Sequence, residues 1–450
     1  MKRILVNKVF LKNMLVIAIP IALQNLIITS LNMLDTLMIS ELGKSSIAAV
    51  GLANQLFFFY SLILFGINSG ASIFISQYWG KKDKENIKSI LGLAVILTTL
   101  TGLIFTIIAL FFPELVMRFF IKEDIVIKLG CDYLRIVSIS YIITGVSFSY
   151  SIASRSVGYA KMPMVVSFIS FITNAVFNYL LIFGKLGFPK LGVKGAAYGT
   201  LIARIVEILF ILYFVYKDIE PLAGNIKELT SWPKGFIKRY FKTAYPVVIN
   251  EALWALGQVM YSAAYARIGE EATAAVQIAA TIQNVFFVLV RGLANACTVM
   301  VGNKIGEGNE DESYEYAIQF LTMSTISGLV LGLLLFLTPD LTLKLFRSLD
   351  FDVYNLSRNL IMVMGLFYFI RTFNATLIVG VLRGGGDTSF SMYLEMGAVW
   401  LVGVPLAFLG ALLFKLPVYL VFVLVSLEEI VKAAIGLPRV LSKKWIKNVT

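Results

Sequence analysis

The chain has 450 residues, of which 58% are hydrophobic and only 15% charged, with a mean hydropathy of +0.83 and a formal net charge of +12. Soluble proteins carry about a quarter charged residues, so most of this chain belongs in lipid, and soluble enzymes and soluble binding modules are excluded. The Lys and Arg lie mainly in short connections between apolar runs, a pattern of membrane topology and not of nucleic-acid binding.

Taken in chain order, the apolar runs predict about twelve transmembrane helices at 13–39, 47–78, 88–112, 130–157, 162–184, 193–216, 242–266, 273–302, 314–338, 355–382, 389–414 and 417–440. The first run is too long for a signal-peptide core and no small-residue cleavage site follows it, so it is expected to stay as a helix. Pro20 in the first run and Pro246 in the seventh are expected bend points. Basic residues cluster before the first run (Lys2, Arg3, Lys8, Lys12), at 79–88 (Lys81, Lys82, Lys84, Lys88) and at 217–241 (Lys217, Lys227, Lys234, Lys238, Arg239). Connections on that side hold about 22 basic residues against about 12 on the other, which places both termini in the cytoplasm. Cys131 and Cys297 fall at opposite membrane sides, so no disulfide is expected. With no histidine in the chain, zinc, haem and Cys-His nucleophile sites cannot be assembled.

The chain repeats itself at an offset of about 226 residues, pairing Pro20 with Pro246, Gly43 with Gly269, Ala48-Ala49-Val50 with Ala274-Ala275-Val276, Gly66 with Gly292 and Gly80 with Gly306. Arg155-x-x-Gly158 answers Arg383-x-x-Gly386 with a two-residue slip. Each repeat holds six helices, an even number, so both enter the membrane from the same side. The expected fold is therefore an all-α integral membrane protein of about twelve helices, in two six-helix lobes related by a pseudo-twofold axis along the membrane normal. The expected organisation is an amino-terminal lobe at 1–216, a cytoplasmic linker at 217–241 and a carboxy-terminal lobe at 242–450. Two lobes facing a central cavity suit alternating access.

Asp35 is the sharpest single residue, because a carboxylate in an apolar helix costs about 2.5–3.5 kcal/mol on insertion scales. Asn174 and Asn178 lie four apart on one face of the fifth run, and Thr200 lies in the sixth. By helical rise, Asp35, Asn178 and Thr200 come within about one turn of each other in depth, with Asn174 one turn deeper. Oxygen-bearing side chains at one depth suit a hard monovalent cation such as Na+, with Asp35 supplying the neutralising charge. The structural alternatives are a helix-packing hydrogen bond for Asp35 and interhelical hydrogen bonding for the other three. The second half carries Glu251, Arg291, Arg371 and Glu395 in its apolar runs. These are read as a charged cluster lining a polar cavity, Arg291 and Arg371 balancing the two glutamates, able to take zwitterionic or anionic as well as cationic substrates. A purely structural ion-pair network is the alternative. Phe57-Phe58-Phe59-Tyr60 and Phe286-Phe287 occupy matching neighbourhoods of the repeat and offer stacking surface, although adjacent aromatics cover several faces of a helix.

The segments Pro20-Ile21-Ala22-Leu23-Gln24-Asn25, Leu34-Asp35-Thr36 and Ala48-Ala49-Val50-Gly51-Leu52-Ala53-Asn54-Gln55 resemble the opening of the multidrug and toxic compound extrusion (MATE) family. So do Val381-Leu382-Arg383-Gly384-Gly385-Gly386-Asp387-Thr388 ahead of Trp400 and Gly403-Val404-Pro405, and the tail from Glu428-Glu429-Ile430 to Ser442-Lys443-Lys444-Trp445 resembles the end of bacterial members. The resemblance covers essentially the whole chain. It implies secondary active efflux from the cell membrane of small amphipathic, often cationic compounds by antiport with Na+ or H+. It also implies a coupling role for an amino-lobe aspartate with partners on helices five and six, which Asp35, Asn174, Asn178 and Thr200 match. Two positions depart from the pattern: Asn178 stands where some members have aspartate, and the helix-ten aspartate that accompanies the Glu251 position in some sodium-coupled members is replaced near Thr372.

The expected partners are small-molecule substrates, lipophilic or aromatic cations above all, together with membrane lipid, and neither nucleic acid nor an obligate protein partner. No cofactor beyond the coupling ion, no catalytic residue and no enzyme activity are expected. Gly43-Lys44-Ser45-Ser46 looks like the end of a phosphate-binding loop, but Met38 stands where its first glycine is required. The 79–88 connection lacks the Gly-x-x-x-Asp-Arg pattern of major facilitator transporters. The closest rival is a lipid-linked precursor flippase of the same superfamily, in which arginines such as Arg291 and Arg371 would grip a pyrophosphate.

Overall fold

The computed structural model of the protein describes residues 8–344, 346 and 350–450. Lys2 and Arg3, counted among the basic residues before the first helix, lie outside the described residues. The first half forms α1 (Lys8–Ser40), α2 (Lys44–Gly80), α3 (Lys84–Phe111), α4 (Asp124–Val137 and Ile139–Ser156), α5 (Lys161–Phe183) and α6 (Val193–Asp218). The second half forms α7 (Phe236–Ala266), α8 (Glu270–Gly306), α9 (Glu310–Leu337), α10 (Phe351–Arg383), α11 (Thr388–Leu413) and α12 (Val418–Leu441). Nine of these are long and apolar enough to cross a membrane singly, and the bent pair in α4 makes a tenth. The other two, α7 and α12, have 31 and 24 residues and are long enough to span, but they carry interior charges. No strand occurs among the described residues. Helices satisfy their own backbone groups, which is what hydrocarbon demands of a spanning segment.

The repeat is written into the helix boundaries. α2 and α8 are both 37 residues long and begin at Lys44 and Glu270, while α3 and α9 are both 28 residues long and begin at Lys84 and Glu310. The side chain of Asp83 caps α3 by accepting from the Asn86 N–H at 3.1 Å, and Asn309 caps α9 by accepting from the Glu312 N–H at 3.1 Å. Short helices follow at Pro113–Phe120 and Pro339–Leu343, each opened by its proline.

Three features were not visible as sequence periodicity. α4 starts at Asp124 and is bent by 49° at Ser138, where a continuous run had been expected from residue 130. At the bend the Thr106 hydroxyl of α3 donates to the Ser138 carbonyl at 2.7 Å, and Ser140 donates back to the Val137 carbonyl at 2.6 Å. Hydroxyls inserted into the helical ladder are a physical cause of such kinks. α10 widens to π-helix over Thr376–Arg383, and α11 over Val399–Gly403 and Leu409–Leu413, on either side of Pro405, which has no N–H to donate. Pro20 and Pro246 lie inside α1 and α7, which stay helical on both sides of them.

By packing, the chain divides into two units: Leu23–Val248, and Ile249–Thr450 with the residues up to Ala22. In the first unit a Cβ on Gly66 would lie 2.6 Å from Val248, and one on Gly70 would lie 2.5 Å from Ala244, so α2 and the start of α7 meet backbone to backbone. Tyr60 anchors the interior, its hydroxyl donating to the Tyr141 carbonyl at 2.8 Å with the two rings stacked. The 217–241 segment belongs to this unit. Asn225 and Glu228 form a reciprocal cap on the short helix Ile226–Leu229, Lys88 pairs with Glu228 at 3.0 Å, and the Trp232 indole donates to the Ser89 carbonyl at 3.2 Å. In the second unit Gly292 stands against Ala18 and Ala22 as Gly66 stands against Val248 in the first. Phe10 packs edge-on against Tyr316 and Phe320. Cys131 and Cys297 are buried free thiols.

Candidate functional site

In the Leu23–Val248 unit the structure brings together all four residues singled out around Asp35. The Asn178 amide donates to Asp35 Oδ1 at 2.6 Å and to Asn174 Oδ1 at 3.0 Å, and the Asn174 amide donates to Thr200 Oγ1 at 3.5 Å. The chain of bonds runs from α1 through two successive turns of α5 to α6. Its compactness depends on Gly199, where a Cβ would fall 2.0 Å from Asn178 Oδ1. Asn178 is fully buried, and its Oδ1 accepts no hydrogen bond among the described residues. A carboxylate, two amide oxygens and a hydroxyl make a hard donor set of the kind that suits a small cation.

Sequence reasoning missed the rest of this cluster. Tyr133 of α4 is buried beside Asp35 and Thr200, and its hydroxyl donates to Asn54 Oδ1 at 3.4 Å. Arg204, one turn along α6 from Thr200, pairs with Glu207 at 2.6 Å and stands within electrostatic reach of Asp35. The four-residue spacing from Thr200 to Arg204 and the three-residue step to Glu207 were signals that could have found the pair.

In the second unit the charges pair differently from expectation. Glu251 and Glu395 are not balanced at contact distance by Arg291 and Arg371. Their partner is Arg383, at the end of the π-helical stretch of α10, which reaches Glu251 Oε1 at 2.8 Å and Glu395 Oε2 at 3.3 Å. Asn250 also donates to Glu395, at 2.5 Å. The reason is geometric: Arg383 stands only 2% exposed between α7 and α11, one residue past the end of the tenth apolar run expected at 382. A second cluster joins it on α12, where Lys432 holds Glu428 at 3.0 Å and Glu429 at 3.3 Å. The Tyr261 hydroxyl donates to Glu428, and the Asn374 amide to Glu429 Oε2 at 2.7 Å. Arg291 and Arg371 instead both lie near the Phe287 ring, at 5.8 and 5.6 Å from its centroid. Thr372 is buried and donates to the Ser324 carbonyl at 3.0 Å, a bond that ties α10 to α9.

The repeat relates the Arg383 cluster to a neutral counterpart. Arg155 is buried at the matching end of α4 and donates to Gln24 at 2.5 Å, and Gln24 donates to Ser167 at 2.8 Å. Gln24 corresponds to Asn250 at the 226-residue offset, and Ser167 to Glu395 with the two-residue slip. One architecture, an arginine tying three helices together, is thus carried by neutral partners in the first unit and by carboxylates in the second.

The sequence model of the MatE family matches residues 20–180 and again 246–409, once in each repeat. The chain belongs to the MatE family. Among family relatives, a probable multidrug resistance protein NorM of Thermotoga maritima is 26% identical, over 97% of this chain and 93% of its own length. A probable multidrug resistance protein YoeA of Bacillus subtilis is also 26% identical, over 92% and 89%. Two solved structures share the fold. An outward-facing multidrug resistance MATE family transporter superposes with a TM-score of 0.88 at 21% identity, covering 97% of this chain and 96% of that one. A MOP superfamily transporter from Pyrococcus furiosus, described as having a binding pocket of reverse polarity, superposes with a TM-score of 0.87 at 21% identity, covering 96% of each. The family fold of twelve helices in two six-helix lobes is the one read from the repeat.

Proposed function

We propose that the protein is a secondary active exporter of small amphipathic compounds, driven by antiport with Na+ or H+ and working by alternating access between its two lobes in the cell membrane, with both termini cytoplasmic. The observation that carries this reading is the Asp35–Asn178–Asn174–Thr200 chain, an acidic residue near the end of an apolar helix held by neutral oxygen- and nitrogen-bearing side chains. The names of the curated relatives, probable multidrug resistance proteins, support the same direction. In its ionised form Asp35 accepts from Asn178, and a cation or proton arriving at the carboxylate competes with that bond. Arg204 sets the local field against which the cation must bind, and Glu207 moderates it. Asp35, Asn174, Asn178 and Thr200 would hold the ion, and the ion would supply the downhill gradient.

The test is efflux of a fluorescent lipophilic cation from proteoliposomes under a sodium gradient and then a pH gradient, for wild type and Asp35→Asn. Efflux driven by one ion and abolished in the variant is the expected result. Efflux that persists undiminished in Asp35→Asn refutes coupling through this site. The flippase reading rests on Arg291 and Arg371, and translocation of a lipid-linked pyrophosphate without efflux under either gradient would favour it.

A further inference from the structure

Arg291, exposed, and Arg371, half-buried, are cations of the carboxyl-terminal unit that no carboxylate meets at contact distance, with Glu251 within electrostatic reach of Arg291. Glu251 and Glu395 are engaged by Arg383, and Glu428 and Glu429 by Lys432. Neither remaining guanidinium makes a hydrogen bond or ion pair among the described residues; the one bond at Arg291 is to its backbone carbonyl, from Asn295 at 2.8 Å. Each guanidinium instead lies near the ring of Phe287, which stands one turn before Arg291 on α8.

Their depth makes this unusual. Arg291 lies about 22 Å along α8 from its end at Gly306 and about 32 Å from its start, by helical rise. Arg371 lies about 18 Å from the end of α10 at Arg383 by the same measure. Neither side chain is near enough to a helix end to reach bulk water simply by extending. Two guanidiniums that share one ring also repel each other, and charged groups at membrane depth are retained where they meet a counter-charge or line a polar path. Their planar N–H forks match the oxygens of carboxylate, sulfonate and phosphate groups. The ring beside them matches an aromatic or apolar body attached to such a head.

We propose that Arg291, Phe287 and Arg371 form an anion-recognition site within the carboxyl-terminal unit, taking a carboxylate, sulfonate or phosphate head joined to an aromatic or apolar body. It deepens the export reading by naming an anionic class of cargo, and rests on that reading only in calling the anion a substrate; binding needs no gradient. The same head chemistry is found on soluble organic anions and on lipid headgroups.

The experiment is a fluorescence-anisotropy titration of carboxyfluorescein, and separately of ethidium, against purified protein in neutral detergent. It compares wild type with Arg291→Gln, Arg371→Gln, Phe287→Leu and the Arg291→Lys/Arg371→Lys double variant, each first shown to keep the wild-type melting temperature and gel-filtration profile. The expected result is loss of carboxyfluorescein affinity by roughly tenfold or more in each glutamine variant, the scale of one lost charge-assisted contact. A smaller loss is expected in the lysine pair, which keeps charge but not the fork. Ethidium affinity stays unchanged or rises. Carboxyfluorescein affinity indifferent to both glutamine variants, or lowered equally for ethidium, overturns the proposal. Displacement of the probe by phosphatidylglycerol and not by phosphatidylcholine assigns the site to a lipid headgroup, and displacement by neither assigns it to soluble anions. Equal displacement by both shows that charge does not govern the site and also overturns it. Failed efflux with arginine-dependent binding leaves this site standing, whereas intact efflux with arginine-independent binding removes it alone.

Discussion

Replacing Arg383 with methionine tests whether the second-half cluster is held together by charge. Arg383 is 2% exposed and is the contact partner of both Glu251 and Glu395, at 2.8 and 3.3 Å. Removing one member of a buried ion pair costs about 3–5 kcal/mol, because the charge left behind is no longer compensated. Here two carboxylates are stranded, with Asn250 the remaining donor to Glu395, so the upper end of that range is expected. At about 2–4 °C of melting temperature per kcal/mol for a domain of this size, the loss is about 10–20 °C. The matched control is Arg155→Met, where the partner is the neutral Gln24 and only its amide oxygen is orphaned, an effect of about 1–3 kcal/mol. The assay is thermal unfolding in detergent of wild type, both single variants, and the triple variant Arg383→Met/Glu251→Gln/Glu395→Gln. The triple variant should recover most of the loss, since neutral amides no longer need the guanidinium. If Arg383→Met melts within about 3 °C of Arg155→Met, or the triple variant is no more stable than Arg383→Met, then charge compensation does not govern this cluster.

Further expectations are open to direct measurement. Gly199→Ala places a Cβ 2.0 Å from Asn178 Oδ1, which should push the amide off Asp35 and weaken the ion dependence of efflux by about tenfold, the worth of one hydrogen bond to a charged group; unchanged ion dependence would show that the Asn178–Asp35 bond is dispensable. In the 217–241 segment, the Asn225 backbone N–H and the Lys88 ammonium hold the Glu228 carboxyl below its ordinary value. Its contribution is therefore fully present above the ordinary glutamate pKa of about 4.3 and is lost as pH falls through the lowered value. Proteolysis of this segment should accelerate on acidification below about pH 4.3 in wild type, and Glu228→Gln should already be more susceptible at pH 7. Thr106→Val removes the hydroxyl that donates to the Ser138 carbonyl at the α4 bend; a loss of about 1 kcal/mol is expected in the melting curve, and an unchanged curve would place the cause of the bend elsewhere.

Much of the fold was legible because the bilayer is a simple solvent. A long apolar run has few alternatives to a helix in hydrocarbon, so the helices fell close to the expected ranges, and the repeat surfaced again as equal lengths of α2 and α8 and of α3 and α9. Asp35, Asn174, Asn178 and Thr200 were found because a polar side chain in such a run stands out and helical spacing fixes its face and depth. Tyr133 was not found, since a tyrosine in an apolar run reads as core until its hydroxyl is seen bonding Asn54. Arg383 was not found, since it falls one residue past the tenth apolar run and stood out only as part of the repeated Arg-x-x-Gly pattern.

The sequence by itself determined the solvent, the helices, the twofold repeat of six helices and which residues carry charge at depth, because each of these follows from composition and local periodicity. Only the tertiary structure decided which charge meets which. Arg383, and not Arg291 or Arg371, reaches Glu251 and Glu395, whereas Arg291 and Arg371 both lie near Phe287. Pairing depends on the rotation of one helix against the next and on a π-helical stretch in α10, and these are set by contacts between segments far apart in the chain.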